Sequence, residues 1–111
     1  MTFEEYQKST QETAIYPRET PIQAINYCIL GLAGEAGELC NKIKKSYRDD
    51  NSIVTIKKRE ELIDEASDCA WYLSQLCTEL NITLSELATY NIQKLKKRKE
   101  NNKLQGSGDS R

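Results

Sequence analysis

Two long runs of the chain carry apolar residues at intervals of three and four. Ile25, Ile29, Leu32, Ala36, Leu39 and Ile43 mark one run, and Leu62, Ala66, Cys69, Leu73, Leu76 and Leu80 the other. At about 100° per residue each set forms a single stripe on an α-helix. Helix-start signals frame these runs. Thr2-Phe3-Glu4-Glu5 is a capping-box pattern, opening a short first helix that ends before Tyr16-Pro17. Thr20-Pro21-Ile22-Gln23 repeats the signal with proline at the first helical position, and this second helix runs to about Tyr47. Residues 48–55, RDDNSIVT, read as a polar connection to a third helix from Lys57 to about Leu80. Thr83-Leu84-Ser85-Glu86 starts a fourth, with Ile82 and Leu87 placed as a hydrophobic staple, and the pattern continues to about Lys99. Only SIVTI, short and isolated, is rich in β-branched residues, so the expected fold is all-α. Stripes of this length suit helical hairpin units that assemble into a four-helix bundle core. One chain supplies two full stripes, so a homodimer is expected to complete that core.

Composition narrows the chemistry. A chain of 111 residues makes one domain, expected over residues 1–104, with 105–111 as a tail without periodicity. Sixteen basic against 17 acidic residues leave a net charge of −1, which points away from a nucleic acid polymer or a membrane surface as partner. The amino-terminal MTFEEYQKS has neither the basic start nor the apolar core of a signal peptide, so a cytoplasmic location is expected. Cys28, Cys40, Cys69 and Cys77 never form a C-x-x-C pair and read as buried thiols. The chain has no histidine. Serine–histidine nucleophiles and histidine-bearing metal sites are thereby excluded, leaving carboxylates, amines and metal ions.

The carboxylates are placed in register. Glu35 and Glu38 are three apart, as are Glu65 and Asp68, so each pair projects from one face of its helix. Taking Ala36 and Ala66 as the stripe directions, Glu35 and Glu65 both lie about 100° away and Glu38 and Asp68 about 160° away, in the same sense. If the helices pack through their stripes, the four acids converge on one groove. Glu61 and Tyr72 extend the line on the third helix; Gly31, Lys42 and Lys45 extend it on the second. A solvated charged face has the same spacing. The glycines of GLAGEAGEL, Gly31, Gly34 and Gly37, go further, since each costs a helix roughly 0.5–1 kcal/mol relative to alanine. Their missing Cβ atoms serve either close helix packing or clearance for a ligand. Oxygen ligands without histidine or paired cysteine favour Mg²⁺, or Mn²⁺. A di-iron carboxylate bundle lacks its Glu-x-x-His ligands here, and an EF-hand is excluded by Val54 where the loop needs glycine.

LGLAGEAGEL with the following KK, then EASDCAWYL, resembles the E-x-x-E…E-x-x-D signature of the MazG-like, all-α nucleoside triphosphate pyrophosphohydrolases. The signature falls on Glu35, Glu38, Glu65 and Asp68, with 26 residues (39–64) between the pairs. EYQ near the start, NIQKLKKR at 91–98 and the closing GSGDSR are also similar to small single-domain members, so the resemblance covers practically the whole chain. It implies hydrolysis of a (deoxy)nucleoside triphosphate between the α and β phosphates, giving monophosphate and pyrophosphate, with Mg²⁺ held by the four acids. The chemistry suits the residues, because carboxylates approach a triphosphate only across bridging cations, and a coordinated water becomes a nucleophile without histidine. Glu38, Glu65 and Asp68 lead as metal ligands; Glu35 is either the fourth ligand or the group that orients or deprotonates the water.

Phosphoryl transfer calls for nearby cations. Lys42 and Lys45 lie on the acid side of the second helix, Lys44 belongs to the KK, and Asn91, Lys94 and Arg98 line one side of the fourth. These, with Arg111 and Tyr72, are the substrate-binding candidates. Asn91 serves a base or sugar hydroxyl, or a structural hydrogen bond. Trp71 and Tyr72 either stack on a base or pack in the core or a dimer interface. Glycine and serine in GSGDSR can offer backbone amides to phosphate, so the tail is either flexible or closes over substrate. The expected protein is a Mg²⁺-dependent nucleotide pyrophosphohydrolase, homodimeric or homotetrameric. Its rival is a non-catalytic helical module of the same fold that binds nucleotide or a partner protein.

Overall fold

A computed structural model describes residues 1–111, and it is all-helical. Helix α1 spans Phe3–Thr10 and runs into a 3-10 turn at Gln11–Thr13; α2 spans Pro21–Asp49, α3 Ile56–Glu79 and α4 Leu84–Glu100. Three of the starts are the ones the sequence marks. The Thr2 hydroxyl accepts from the Glu5 amide while the Glu5 carboxylate accepts from the Thr2 amide, each at 3.1 Å. Thr20 caps α2 through the Gln23 amide and Thr83 caps α4 through the Glu86 amide. The start of α3 differs: Thr55, read as part of the connection, is its cap and accepts from the Lys58 amide at 3.0 Å. Thr-x-x-Lys lacks the acidic third residue of a capping box, so this cap carried no second signal.

Helices α2 and α3 form an antiparallel hairpin that is the body of the molecule. Their seam is a correction to the expected packing. The α2 residues seen against α3 are Ala24 and Cys28, in the core with Trp71 and Leu76, Gly31 under the Tyr72 ring, and Glu35 and Lys42 beside Glu65. Those positions follow the alternating three and four spacing of a coiled-coil seam. The apolar stripes therefore lie beside the seam rather than in it. Each stripe is one residue, about 100°, past the seam positions, and antiparallel running turns both to the same side of the hairpin. There Ile29 is 47% exposed and Leu80 49%, and Ala36 and Ala66 are also exposed. Two helices can bury only one line of contact between them, so both stripes are left half-buried or exposed.

Helix α1 packs along the end of α3. Gln7 donates to the Thr78 hydroxyl and the Ile82 carbonyl and accepts from the Leu84 amide, and Thr10 meets Ser74. This ties the chain's start to the α3–α4 turn. The small core gathers Tyr16, Ala24 and Cys28 with Ala14, Trp71 and Leu76. Beyond its first residues α4 is an arm: Ala88, Tyr90, Ile92 and Leu95 are all exposed. The radius of gyration, 17.0 Å, exceeds the roughly 13 Å of a compact chain of this length. No helix is long and apolar enough to cross a membrane. All four cysteines are free; Cys28 and Cys77 are buried as expected, Cys69 is half-buried, and Cys40 is exposed. Cys40 departs from the expectation because it lies on the outer side of α2, away from the seam.

Candidate active site

Where the seam reaches the middle of both helices its residues are acids. Glu35 from α2 and Glu65 and Asp68 from α3 each bring a carboxylate oxygen within 4.8 Å of the others. Glu38, one turn beyond Glu35 at the next seam spacing, is exposed and stands outside this set. Burial, together with the Asp68, Glu65 and Glu38 carboxylates, holds the Glu35 carboxyl above the usual range. Two like charges about 5 Å apart repel by roughly 3 kcal/mol at an effective dielectric of 20, less where water reaches them. One cation already answers part of this charge. Lys42 Nζ lies 2.7 Å from Glu65, and that bond, more than the surrounding acids, raises the lysine above its ordinary value. Lys58, buried at the hairpin end of α3, pairs with Glu61 at 2.9 Å. A net negative cluster remains.

The donor set fits a hard divalent cation. Three carboxylates from two rigid helices supply oxygen only, and the exposed Asp68 side leaves room for water or phosphate oxygens, as Mg²⁺ prefers. Exposed acids also cluster without any ion, so the argument rests on placement: these carboxylates occupy helix-seam positions where apolar side chains would stabilise the fold.

The glycines separate into two kinds. A Cβ at Gly31 would collide with the Tyr72 ring, which lies against the α2 backbone there; Gly34 and Gly37 face nothing within 4 Å. Gly31 thus serves close packing, and the residue it admits is Tyr72, seated one turn from Glu35. Burial, then the neighbouring Tyr27 and Glu35, pushes the Tyr72 phenol up. Trp71 packs edge-on to Tyr16 and Tyr72 and donates its indole N–H to Thr13 at 2.9 Å, a structural role. Tyr6 of α1 also faces the acids: burial, then the Asp68 charge, pushes its phenol up. Periodicity gave no hint of Tyr6, which comes from a separate helix. Tyr27 was also missed, although it sits on the line Tyr27–Gly31–Glu35 extended one turn back.

The expected cations divide. Lys42 is at the acids, whereas Lys45 borders a small cleft at the hairpin end with Asp49, Asp50 and Lys58. Lys94, Arg98 and Arg111 come together elsewhere, in a cavity of about 640 Å³ lined only by α4 and the residues that follow it, with Lys97 and Lys103 beside them. The tail folds back through Gly106 and Gly108, both at positive φ. Its Asp109 carbonyl accepts from Arg98, and Arg111 Nε is buried without a partner. Asn91 is exposed and does not line this cavity, since the α4 face expected to bury it is unpacked.

The same chain is matched by known sequences. Residues 23–102 match the MazG nucleotide pyrophosphohydrolase domain. The Gene 37 protein of Mycobacterium phage L5 is 41% identical over 109 residues, covering 96% of each chain. No solved structure matches. The domain match spans both helices that carry the converging acids, and with it the chain belongs to the MazG nucleotide pyrophosphohydrolase family.

Proposed function

We propose that this protein hydrolyses a (deoxy)nucleoside triphosphate at the α–β phosphate bond, giving monophosphate and pyrophosphate, with Mg²⁺, or Mn²⁺, as cofactor. The observation that carries this reading is the convergence of Glu35, Glu65 and Asp68 across the α2–α3 seam beside Lys42. Glu35, Glu65 and Asp68 would hold the ion, with Glu38 as the fourth acid of the set. When bound, Mg²⁺ offsets charge on the phosphates and makes a coordinated water acidic enough to attack. Glu35 would orient or deprotonate the attacking water, and Glu38, one turn along, would serve as a further ligand or as the base. The water oxygen bonds to phosphorus as the bridging P–O bond breaks, and pyrophosphate leaves. Tyr72 walls the site on the Gly31 side.

We further assign the protein to a homodimer or homotetramer, supported by the two stripes open on one side of the hairpin. In that assembly the cations of the α4 cavity, Lys94, Arg98 and Arg111, bind the phosphates at the acid seam of a second copy. Residues 1–104 form the catalytic domain, and the tail 105–111 closes over substrate from the arm. Asn91 and Lys45 are weaker members of the set, because neither lies with the acids or the α4 cavity. Incubation with a panel of ribo- and deoxynucleoside triphosphates, with and without Mg²⁺, tests the reaction. Metal-dependent monophosphate and pyrophosphate are expected. Diphosphate and orthophosphate would place the cleavage at another bond, and no turnover by the folded protein would favour a nucleotide-binding module.

A further inference from the structure

Four rings form a continuous ladder at the amino-terminal end of α2, and only one of them is offered to solvent. Tyr16 and Tyr27 stack nearly parallel, with centroids 5.4 Å apart and planes at 9°; Tyr72 stands 6.5 Å from Tyr27 and Trp71 closes the group edge-on. The ladder is braced from beneath. Tyr16 is 8% exposed, donates its hydroxyl to Glu79, and carries the Arg18 guanidinium 5.2 Å from its ring centre, while Arg18 pairs with Glu79 at 2.8 Å. Tyr27 by contrast keeps 40% of its surface exposed with one face covered by Tyr16. An aromatic ring held by a stacked neighbour and still partly exposed is a stacking surface whose ordering cost has been met by the fold.

Its place on the helix gives it a partner. Tyr27, Gly31 and Glu35 lie at successive four-residue steps on one line of α2, so Tyr27 is about 12 Å along the helix from the acid cluster. The Tyr72 ring, seated on Gly31, fills the space between. In the opposite direction the line leads to Lys42.

We infer that Tyr27 is the base-stacking platform of this site, so that a nucleoside triphosphate lies along α2 with its base on Tyr27 and its phosphates at Glu35, Glu65 and Asp68. The inference rests on the hydrolase reading above and adds the direction of the substrate and the residue that recognises its nucleoside. Every base has a π-face, so the platform selects nucleoside triphosphates over inorganic triphosphate rather than one base over another. Two other exposed tyrosines, Tyr47 and Tyr90, lie respectively near the hairpin end and in the basic α4 cavity. Neither is on the Tyr27–Glu35 line.

The test uses the full chain with Mg²⁺, comparing KM for a nucleoside triphosphate with the inhibition constant of inorganic tripolyphosphate. Base–aromatic stacking is worth about 1–3 kcal/mol, so Tyr27→Leu should raise KM about 5- to 150-fold. The tripolyphosphate constant should stay within about twofold, and Tyr27→Trp should restore KM. An unchanged KM overturns the inference, as does a parallel rise in both constants or a shift of Tyr27→Leu towards monomer in sedimentation. Should Tyr27→Leu fail to fold, photocrosslinking of the unmodified protein with an iodinated pyrimidine nucleoside triphosphate decides: an adduct on Tyr27 supports the platform, and one on Tyr90 or elsewhere overturns it. A wild-type protein that turns over no nucleotide removes the hydrolase reading and the platform together; an active one insensitive at Tyr27 removes the platform alone.

Discussion

The acid seam and the basic arm carry opposite charge and opposite amounts of support. Glu35, Glu65 and Asp68 project from two long helices packed against each other, so their relative positions are fixed by backbone packing. Lys94, Arg98 and Arg111 project from an arm whose middle is exposed on all sides, and what shape they have comes from a seven-residue tail folded back on them. Repulsive groups held together by a scaffold imply a cation that rewards the arrangement. Attractive groups without a scaffold imply a surface still to be met. Under the proposed function the two regions would be complementary halves of one phosphate site, since within one chain the α4 cavity and the acid cluster share no residue.

The largest expected effect lies in the seam. Glu65→Gln or Asp68→Asn should reduce turnover by about 10²–10³ or more while the protein stays folded, because a lost ligand removes charge stabilisation from the transition state. Mn²⁺ binding followed by electron paramagnetic resonance should weaken in parallel. Full activity in either variant would make the acids a solvated face and end the comparison. Removing the Asp68 charge also relieves repulsion among three crowded carboxylates, so without metal Asp68→Asn should melt no lower than wild type, whereas Glu65→Gln also gives up the ion pair with Lys42.

A mixing experiment probes the separation of the halves. Asp68→Asn and Arg98→Ala should each be poorly active alone. Mixed under conditions that exchange subunits, half of the dimers carry one copy of each, and each such dimer holds one intact site built from both. Activity should recover to about a quarter of wild type. No recovery, with exchange verified by sedimentation, would place the arm's cations with the acids of their own chain.

Much of this was legible because helix signals are local. Thr2, Thr20 and Thr83 with their third residues marked three starts, and spacing put the acid pairs in register, while preferring a site to a solvated face took the family resemblance. What failed was the identity of the seam. Apolar periodicity locates a face suited to burial, and here that face stays half-buried or exposed, while the intrachain contact runs through Gly31, Glu35, Lys42, Glu65 and Tyr72. A reading that equates the most apolar stripe with the nearest neighbour goes wrong wherever a polar site occupies the seam. Tyr6 and the Thr55 cap were missed for different reasons: Tyr6 reaches the acids from a separate helix, and Thr55-x-x-Lys58 lacks the acidic third residue of a capping box.

Truncation after Lys103 sharpens the comparison on the arm side. It removes Arg111 and the Asp109 carbonyl that Arg98 donates to, so KM should rise about tenfold, the value of one charged hydrogen bond, with little change in Tm. Unchanged kinetics would take the tail out of the site.

The smallest effects separate the glycines. Gly31→Ala pushes a Cβ into the Tyr72 ring, and the strain should outweigh the gain in helix propensity, for a net loss of about 1–2 kcal/mol in urea unfolding. Gly34→Ala meets nothing in its own chain and should stabilise α2 by about 0.5–1 kcal/mol. That second result depends on where the partner copy sits. If the partner packs on Gly34, the same substitution weakens assembly instead, and Tm falls with dilution more steeply than in wild type. Unfolding of Gly34→Ala at two protein concentrations therefore distinguishes a glycine left bare on the acid side of α2 from one reserved for a second helix.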